Sequence, residues 1–207
     1  MTTSFDQRLA FGKIAESHIA TWLRRARGWS VLPVYEQELA EGKGPQFFTP
    51  DSEVVAPDML AMKGDQVRWI EAKRKTVFSW RGVGGYWETG IDLRHYHEYL
   101  RVADLHPWSV WLLFLHESSR TDPRDVERWG APATCPTGLY GGTIAYLRDH
   151  ESHTDPRWGR TGMVYWKHET LKQLATLDEV RAAATAPGTN QGRDTLRTIA
   201  GQPTRTN

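Results

Sequence analysis

The chain carries the sequence PDMLAMKGDQVRWIEAK over residues 57–73. Two short apolar segments, 59–62 and 67–72, flank a polar stretch that contains the pair Gly64-Asp65. A Gly-Asp pair between two apolar segments is typical of a β-hairpin turn. The sequence therefore predicts two antiparallel strands at this place.

The register of this hairpin brings two carboxylates together. If the turn is centred on Gly64-Asp65, Asp58 lies opposite Glu71, with Cβ atoms ~5 Å apart. Lys73 projects to the same face as Glu71, whereas Ala72 points into the opposite layer, because side chains alternate along a strand. Opposed like charges destabilise a sheet unless a cation lies between them, and carboxylate oxygens are the ligands that Mg²⁺ requires. We therefore predict Asp58 and Glu71 as ligands of Mg²⁺, for which we expect Mn²⁺ to substitute.

A lysine beside such a metal site suits phosphodiester hydrolysis. Its amino group can orient or deprotonate a water molecule, or neutralise charge that develops on a phosphate. The sequence therefore predicts Asp58, Glu71 and Lys73 as catalytic residues.

The rest of the pattern favours an α/β domain with a central mixed β-sheet flanked by helices. Helical periodicity is found over 4–27, 92–105 and 169–184. Strands are expected over 29–35, 109–116, 139–147 and 162–167, a glycine-rich loop over 78–91, and irregular segments over 36–56, 117–138 and 148–161. We expect a single domain over 1–186 and a flexible tail over 187–207.

The motif of Pro57-Asp58, twelve further residues and then Glu71-Ala72-Lys73 resembles that of the PD-(D/E)xK nuclease superfamily. Gly12-Lys13-x-x-Glu16 in the first predicted helix is similar to the archaeal Holliday-junction-resolvase and RecB-type branch, and the chain resembles compact phage-type nucleases. The resemblance implies a restriction-endonuclease-like core with the motif on a hairpin, and Glu16 as a third metal ligand. A helical wheel places Glu16 roughly 110° from the centre of the apolar stripe, on a flank that can reach the sheet edge.

The helix after the hairpin carries a second, partial match. Relatives have a Gln-x-x-x-Tyr pattern there, and this chain has His95-x-x-x-Tyr99, so the tyrosine matches and the glutamine is replaced. With the basic residues near the motif, this predicts six substrate-binding side chains: Lys13, Arg74, Lys75, Arg81, His95 and Tyr99.

Composition indicates which partners and which cellular compartment to expect. The net charge of the 207 residues is only +1, but basic residues outnumber acidic ones over 63–81, where phosphate contacts are expected. The longest apolar run, Val110–Leu115, is far shorter than the ~18 residues of a membrane span, so we expect no membrane partner. A single cysteine excludes an internal disulfide and favours the cytoplasm, that of the host if the chain is phage-encoded.

The leading functional prediction is a Mg²⁺-dependent DNA endonuclease that acts on duplex or branched DNA, with the structure selectivity that a resolvase-like chain implies. If it resolves junctions we expect a homodimer, because two symmetric cuts need two sites. Two alternatives stay open: a non-catalytic DNA-binding or scaffolding protein with a nuclease fold, and a restriction-type or defence-type nuclease.

Overall fold

Strands and helices alternate around a central sheet. The computed structural model describes residues 5–34, 46–50 and 53–186 and, in the first helix, the side chains from Lys13 onward. The described elements are, in chain order, α1 (Phe5–Arg27), β1 (Ser30–Pro33), β2 (Gln46–Phe48), β3 (Glu53–Val55), β4 (Met59–Lys63), β5 (Gln66–Lys75), β6 (Ser79–Arg81), β7 (Tyr86–Asp92), α2 (Leu93–Leu105), β8 (Ser109–His116), α3 (Pro123–Trp129), β9 (Gly138–Thr143), α4 (Ile144–Arg148), β10 (His153–Asp155), β11 (Met163–Lys167), a 3₁₀ turn (His168–Thr170), β12 (Lys172–Ala175) and α5 (Leu177–Thr185).

The central sheet has six strands in the order β1-β4-β5-β8-β9-β12. Strands β5 and β8 run parallel, and the other neighbours in this sheet run antiparallel. The sheet is therefore mixed, with helices on its faces, and the predicted α/β class is confirmed. No helix in the described part of the chain is long and apolar enough to cross a membrane.

The predicted hairpin register is also confirmed. Met59 lies opposite Ile70 and Lys63 opposite Gln66 across β4 and β5. Gly64 in the turn has a φ of +59°, a left-handed conformation that glycine adopts without a Cβ penalty. Asp58, one residue before β4, is thereby set alongside Glu71.

The two faces of the central sheet have separate cores. On one face, α1 and α5 pack through residues such as Ile19 and Val180 against the side of β5 that carries Ala72. On the other face, α2, α4 and a second sheet cover Trp69 of β5. Glu71 and Lys73 alternate with Ala72, so they lie on the α2 side.

The second sheet corrects the prediction of a glycine-rich loop over 78–91. Its four strands have the order β10-β11-β7-β6, and β6 and β7 form a hairpin within that segment. Glycine density favoured a loop, but the glycines are concentrated in the turn, while Trp80 and Trp87 form a cross-strand pair with ring centroids 4.8 Å apart. Aromatic cross-strand pairs stabilise such strands.

Other element boundaries differ from expectation where a cap interrupts an apolar run. The segment 139–147 is β9 followed by α4, because the side chain of Thr143 accepts a hydrogen bond from the Tyr146 amide and starts a helix. The segment 169–184 contains β12 before α5, which starts at the capping box of Thr176 and Glu179.

The three segments expected to be irregular also contain regular structure. Helix α3 lies in 117–138, β10 lies in 148–161, and β2 and β3 lie in 36–56. The predicted tail at 187–207 lies outside the described residues, so the domain boundary stays a prediction.

Candidate active site

Asp58 is held at the start of the hairpin by two backbone contacts. Its carbonyl accepts a hydrogen bond of 2.8 Å from the amide of Val34 beside β1. Its Oδ2 accepts a second hydrogen bond of 2.8 Å from the amide of Ala72 on β5. The first carboxylate is therefore fixed by the strand that carries the second.

Glu71 is buried under α2. Its side chain is 1% exposed, and both carboxylate oxygens are inaccessible to solvent. The ammonium of Lys73 forms an ion pair with it. Burial, followed by the charge of Glu71, raises the pKa of Tyr99 on α2, so this tyrosine lies close to the carboxylate. Lys73 also lies 6.0 Å from the centroid of the Tyr99 ring. Strand and helix thus contribute one neighbour each to this carboxylate.

The electrostatics of the site are dominated by two crowded carboxylates. Burial and then the charge of Glu71 raise the pKa of Asp58 well above its ordinary value, although Lys73 and the Ala72 amide oppose this. Burial alone lowers the pKa of Lys73, but the charges of Glu71 and Asp58 outweigh it and the net pKa is raised. Asp58 and Glu71 together therefore outnumber the ammonium of Lys73.

Glu16 approaches the same place from α1. It is half-buried, and its charge acts on Asp58, Lys73 and Tyr99. Among the described residues, however, no group of three or more His, Cys, Asp and Glu side chains forms an arrangement that could hold a metal ion. Glu16 thus lies within electrostatic range of the two hairpin carboxylates without completing a three-carboxylate cluster.

The donor set at Asp58 and Glu71 fits a hard divalent cation. Both carboxylates are desolvated, and the charge of one raises the pKa of the other, which is the repulsion that a cation between them relieves. Oxygen ligands of this kind are those that Mg²⁺ and Mn²⁺ prefer.

Three of the six predicted substrate-binding residues lie near Lys73 and Glu71. Lys75 shares the face of Lys73, and burial followed by the charge of Lys73 lowers its pKa to about 8. His95 also faces the site, since burial and the charge of Lys73 lower its pKa. Tyr99 is 2% exposed and lies behind Glu71, where it is placed to position that carboxylate.

Two of the other three predicted residues have partners away from the carboxylates. Arg74 lies on the opposite face of β5 from Lys73 and forms an ion pair of 2.6 Å with Glu117 just after β8. Arg81 is on β6 in the second sheet, where it shares a hydrogen bond with His153. The third residue, Lys13, is exposed on α1, one helical turn before Glu16.

Two features of β5 and its surroundings were not predicted from the sequence. Tyr99 was predicted to bind substrate, but its place beside the buried Glu71 was not predicted. Glu117 follows β8, and its pairing with Arg74 depends on the parallel register of β5 and β8, for which the sequence carries no local signal.

No family model and no curated protein matches the chain. Among solved structures, one neighbour is Hjc of Archaeoglobus fulgidus, a Holliday junction resolvase from an archaeal hyperthermophile. It is 11% identical, the match covers 77% of this chain and 90% of Hjc, and the TM-score is 0.43. Another is D212, a nuclease from a fusselovirus, 14% identical, with 85% of this chain and 90% of D212 covered and a TM-score of 0.36. Because both TM-scores are below 0.5, the proposal below depends on the residues of the site.

Proposed function

We propose that the chain is a metal-dependent nuclease that hydrolyses phosphodiester bonds in DNA. The observation that carries this proposal is the convergence of Asp58 and Glu71 from the two sides of one hairpin, with Lys73 on the same strand as Glu71. Two desolvated carboxylates and an ammonium at one place are expensive to keep for stability alone. They are the donor set that phosphodiester hydrolysis requires.

Each residue has a role in this proposal. Asp58 and Glu71 would hold Mg²⁺ or Mn²⁺, and Glu16 would support them through its charge. A bound divalent ion supplies charge neutralisation at the phosphate and a more acidic water. The Lys73 ammonium would orient the attacking water or donate to a non-bridging phosphate oxygen. The new bond joins the water oxygen to phosphorus, the bond to the leaving sugar oxygen breaks, and that oxygen ends as a hydroxyl.

The finer part of the proposal concerns the substrate and the setting. We propose duplex or branched DNA as substrate, with Lys75, His95 and the exposed Lys13 contacting its phosphates. A chain that resolves junctions would act as a homodimer, since each cut needs its own site. The buried, unpaired Cys135 suits a reducing cytoplasm, where we propose that the enzyme acts.

A non-catalytic DNA-binding or scaffolding role is the second candidate. It would predict that at least one of the three motif residues is replaced, and Asp58, Glu71 and Lys73 are all present and clustered. This observation favours catalysis.

Cleavage assays test the proposal. Purified protein is incubated with linear, nicked, single-stranded and four-way-junction DNA, in Mg²⁺ or in EDTA. We expect cleavage of at least one substrate in Mg²⁺ and none in EDTA. An absence of cleavage on every substrate, or cleavage that EDTA leaves unchanged, would refute the metal-dependent nuclease.

A further inference from the structure

The second sheet has a pocket of its own. The cavity measures about 340 Å³, near the lower end of the ~300–1,000 Å³ typical of small-molecule sites. We call it the aromatic pocket and define it by the lining residues Trp80, Arg81, Glu88, Trp129, His153 and Trp158. None of the hairpin residues Asp58, Glu71 and Lys73 lines it.

Segments distant in sequence build this pocket. The hairpin of β6 and β7 supplies Trp80 and Glu88, and α3 supplies Trp129. The ring of Trp129 lies directly over Gly82 in the hairpin turn, where any Cβ would overlap it. The absent side chain at Gly82 is thus what allows Trp129 to close one side of the pocket.

Two of the indoles present their rings to solvent. Trp129 is 45% exposed and Trp158 is 63% exposed. Exposed indole rings that flank a cavity are suited to stacking on a flat aromatic ligand, and base–aromatic stacking is tolerant of sequence.

The interior of the pocket holds polar groups with unused hydrogen-bonding capacity. Glu88 is 6% exposed, and its Oε2 is inaccessible to solvent and has no hydrogen-bond partner among the described residues. Nδ1 of His153 is 3.7 Å from this oxygen, outside hydrogen-bond range. The indole nitrogen of Trp80 is likewise buried without a partner in the described part of the chain. One acceptor and one donor on lining residues of the pocket therefore have no hydrogen-bond partner in the described part of the chain.

The charges of the pocket favour a neutral ligand. Arg81 and Arg157 oppose a cation, whereas Glu88 and Asp155 oppose a phosphate or another anion. A planar, uncharged ring with donors and acceptors on its edge satisfies the stacking surfaces and the polar groups together. An unstacked nucleobase has this chemistry, because its Watson–Crick edge is free to form hydrogen bonds.

The pocket also lies near the catalytic strand. Trp80 follows Glu71 by nine residues, so their Cα atoms are at most about 32 Å apart. With nucleotides spaced about 3.4 Å apart along a stacked strand, this upper limit corresponds to roughly nine nucleotides. A DNA strand that lies at Asp58 and Glu71 can therefore reach the pocket within about nine nucleotides.

We propose that the aromatic pocket binds an unpaired nucleobase of the DNA substrate, which stacks on an exposed indole of the lining beside Glu88. This inference rests on the proposed nuclease function and narrows its substrate class to DNA that offers an unpaired base close to the cut. It gives a structural reason for selectivity toward branched, frayed or single-stranded DNA over a perfect duplex.

Binding without cleavage tests this inference. The full chain is titrated in EDTA with a short single-stranded oligonucleotide and with an abasic strand of the same length, which keeps the phosphates and lacks the bases. We expect the wild type to prefer the strand with bases. Trp158→Ala should weaken binding of that strand about 5- to 150-fold and leave the abasic strand within about twofold.

Two further variants sharpen the result. Glu88→Met removes the acceptor, keeps an unbranched side chain of similar length, and should also lower affinity for the strand with bases alone. Trp108→Ala is the matched control, because Trp108 is 37% exposed and does not line the pocket, and it should change neither affinity.

Three outcomes would overturn the inference. The wild type could bind the strand with bases and the abasic strand equally well, or Trp158→Ala could lose the same affinity for both strands. Alternatively, a quaternary ammonium probe could quench the fluorescence of the exposed tryptophans while DNA does not. The last would identify a pocket for cations. Since binding is measured in EDTA, failure of the base pocket remains distinguishable from failure of the nuclease, which appears only as absent cleavage in Mg²⁺.

Discussion

The amide of Ala72 donates a hydrogen bond of 2.8 Å to Oδ2 of Asp58, so strand β5 holds the carboxylate that precedes β4. Because Ala72 stands between Glu71 and Lys73, one short stretch of strand positions all three polar groups. Any shift of the hairpin by one residue would turn Glu71 and Lys73 to the opposite face of the sheet. The register therefore determines whether the polar groups of the proposed site lie on one face of the sheet.

Asp58→Asn is expected to separate activity from stability. The amide oxygen of Asn can still accept the hydrogen bond from Ala72, and removal of the charge relieves repulsion with Glu71. We expect the free energy of unfolding in urea to stay equal or to rise, while the cleavage rate falls by at least about 100-fold as a metal ligand is lost. Asp65→Asn, in the turn of the same hairpin, is the control and should cleave like the wild type. A cleavage rate near that of the wild type in Asp58→Asn would exclude Asp58 from the site.

Lys73→Met should cost both activity and stability. It leaves Glu71 buried without its cation, and loss of one partner from a fully buried pair destabilises by about 3–5 kcal/mol. Lys73 is 30% exposed, so we expect a smaller loss. The double variant Glu71→Gln/Lys73→Met should recover most of the stability and none of the activity, as measured by urea unfolding and DNA cleavage. Additive losses in the double variant would mean that the two residues do not act as a pair.

Tyr99→Phe tests the positioning of Glu71. The variant removes the hydroxyl of a buried tyrosine close to this carboxylate, and a hydrogen bond from that hydroxyl to the charged group would contribute about 1.5–3 kcal/mol. We expect a loss of unfolding free energy in that range and a slower cleavage rate with a changed dependence on metal concentration. Tyr146→Phe, at a tyrosine that is 44% exposed, is the control. An unchanged metal dependence would reduce Tyr99 to a packing residue.

The register of the central hairpin could be predicted from the sequence because it depends only on residues that are close together in the chain. Alternation and a Gly-Asp turn determine which residues oppose each other, so the meeting of Asp58 and Glu71 could be predicted. The aromatic pocket could not, because Trp129 and Glu88 are brought together by tertiary packing over Gly82. The ion pair of Arg74 and Glu117 could not be predicted either, because it depends on the register of the parallel strands β5 and β8, which are not joined by a tight turn.

The pH dependence of stability should reveal the buried Glu88. Burial raises its pKa to about 7 from an ordinary 4.5. Between these values the folded protein retains a proton that the unfolded chain has released, so this group makes stability fall as pH rises from about 4.5 to 7. Glu88→Gln should remove that decline, which urea unfolding at a series of pH values measures.

Other titratable groups lie around Glu88 and are the same in the wild type and in Glu88→Gln. They are Arg81, His153, Asp155 and Tyr165. The pKa of His153 is lowered by burial and by Arg81, so its contribution to stability rises with pH and opposes that of Glu88. The difference between wild type and Glu88→Gln isolates the carboxyl group. Parallel pH profiles for the two proteins would contradict the raised pKa of Glu88.

The most direct test of the nuclease site is the initial rate of DNA cleavage as a function of Mg²⁺ concentration in three proteins: wild type, Lys73→Met and Lys172→Met. Lys172 is an exposed strand lysine on β12, away from the carboxylates, and serves as the matched control. We predict that wild type and Lys172→Met cleave with a rate that saturates in Mg²⁺ and vanishes in EDTA, and that Lys73→Met is slower by about 10²- to 10⁴-fold. Equal rates for Lys73→Met and wild type, or a rate independent of Mg²⁺, would contradict a metal-dependent site built on Asp58, Glu71 and Lys73.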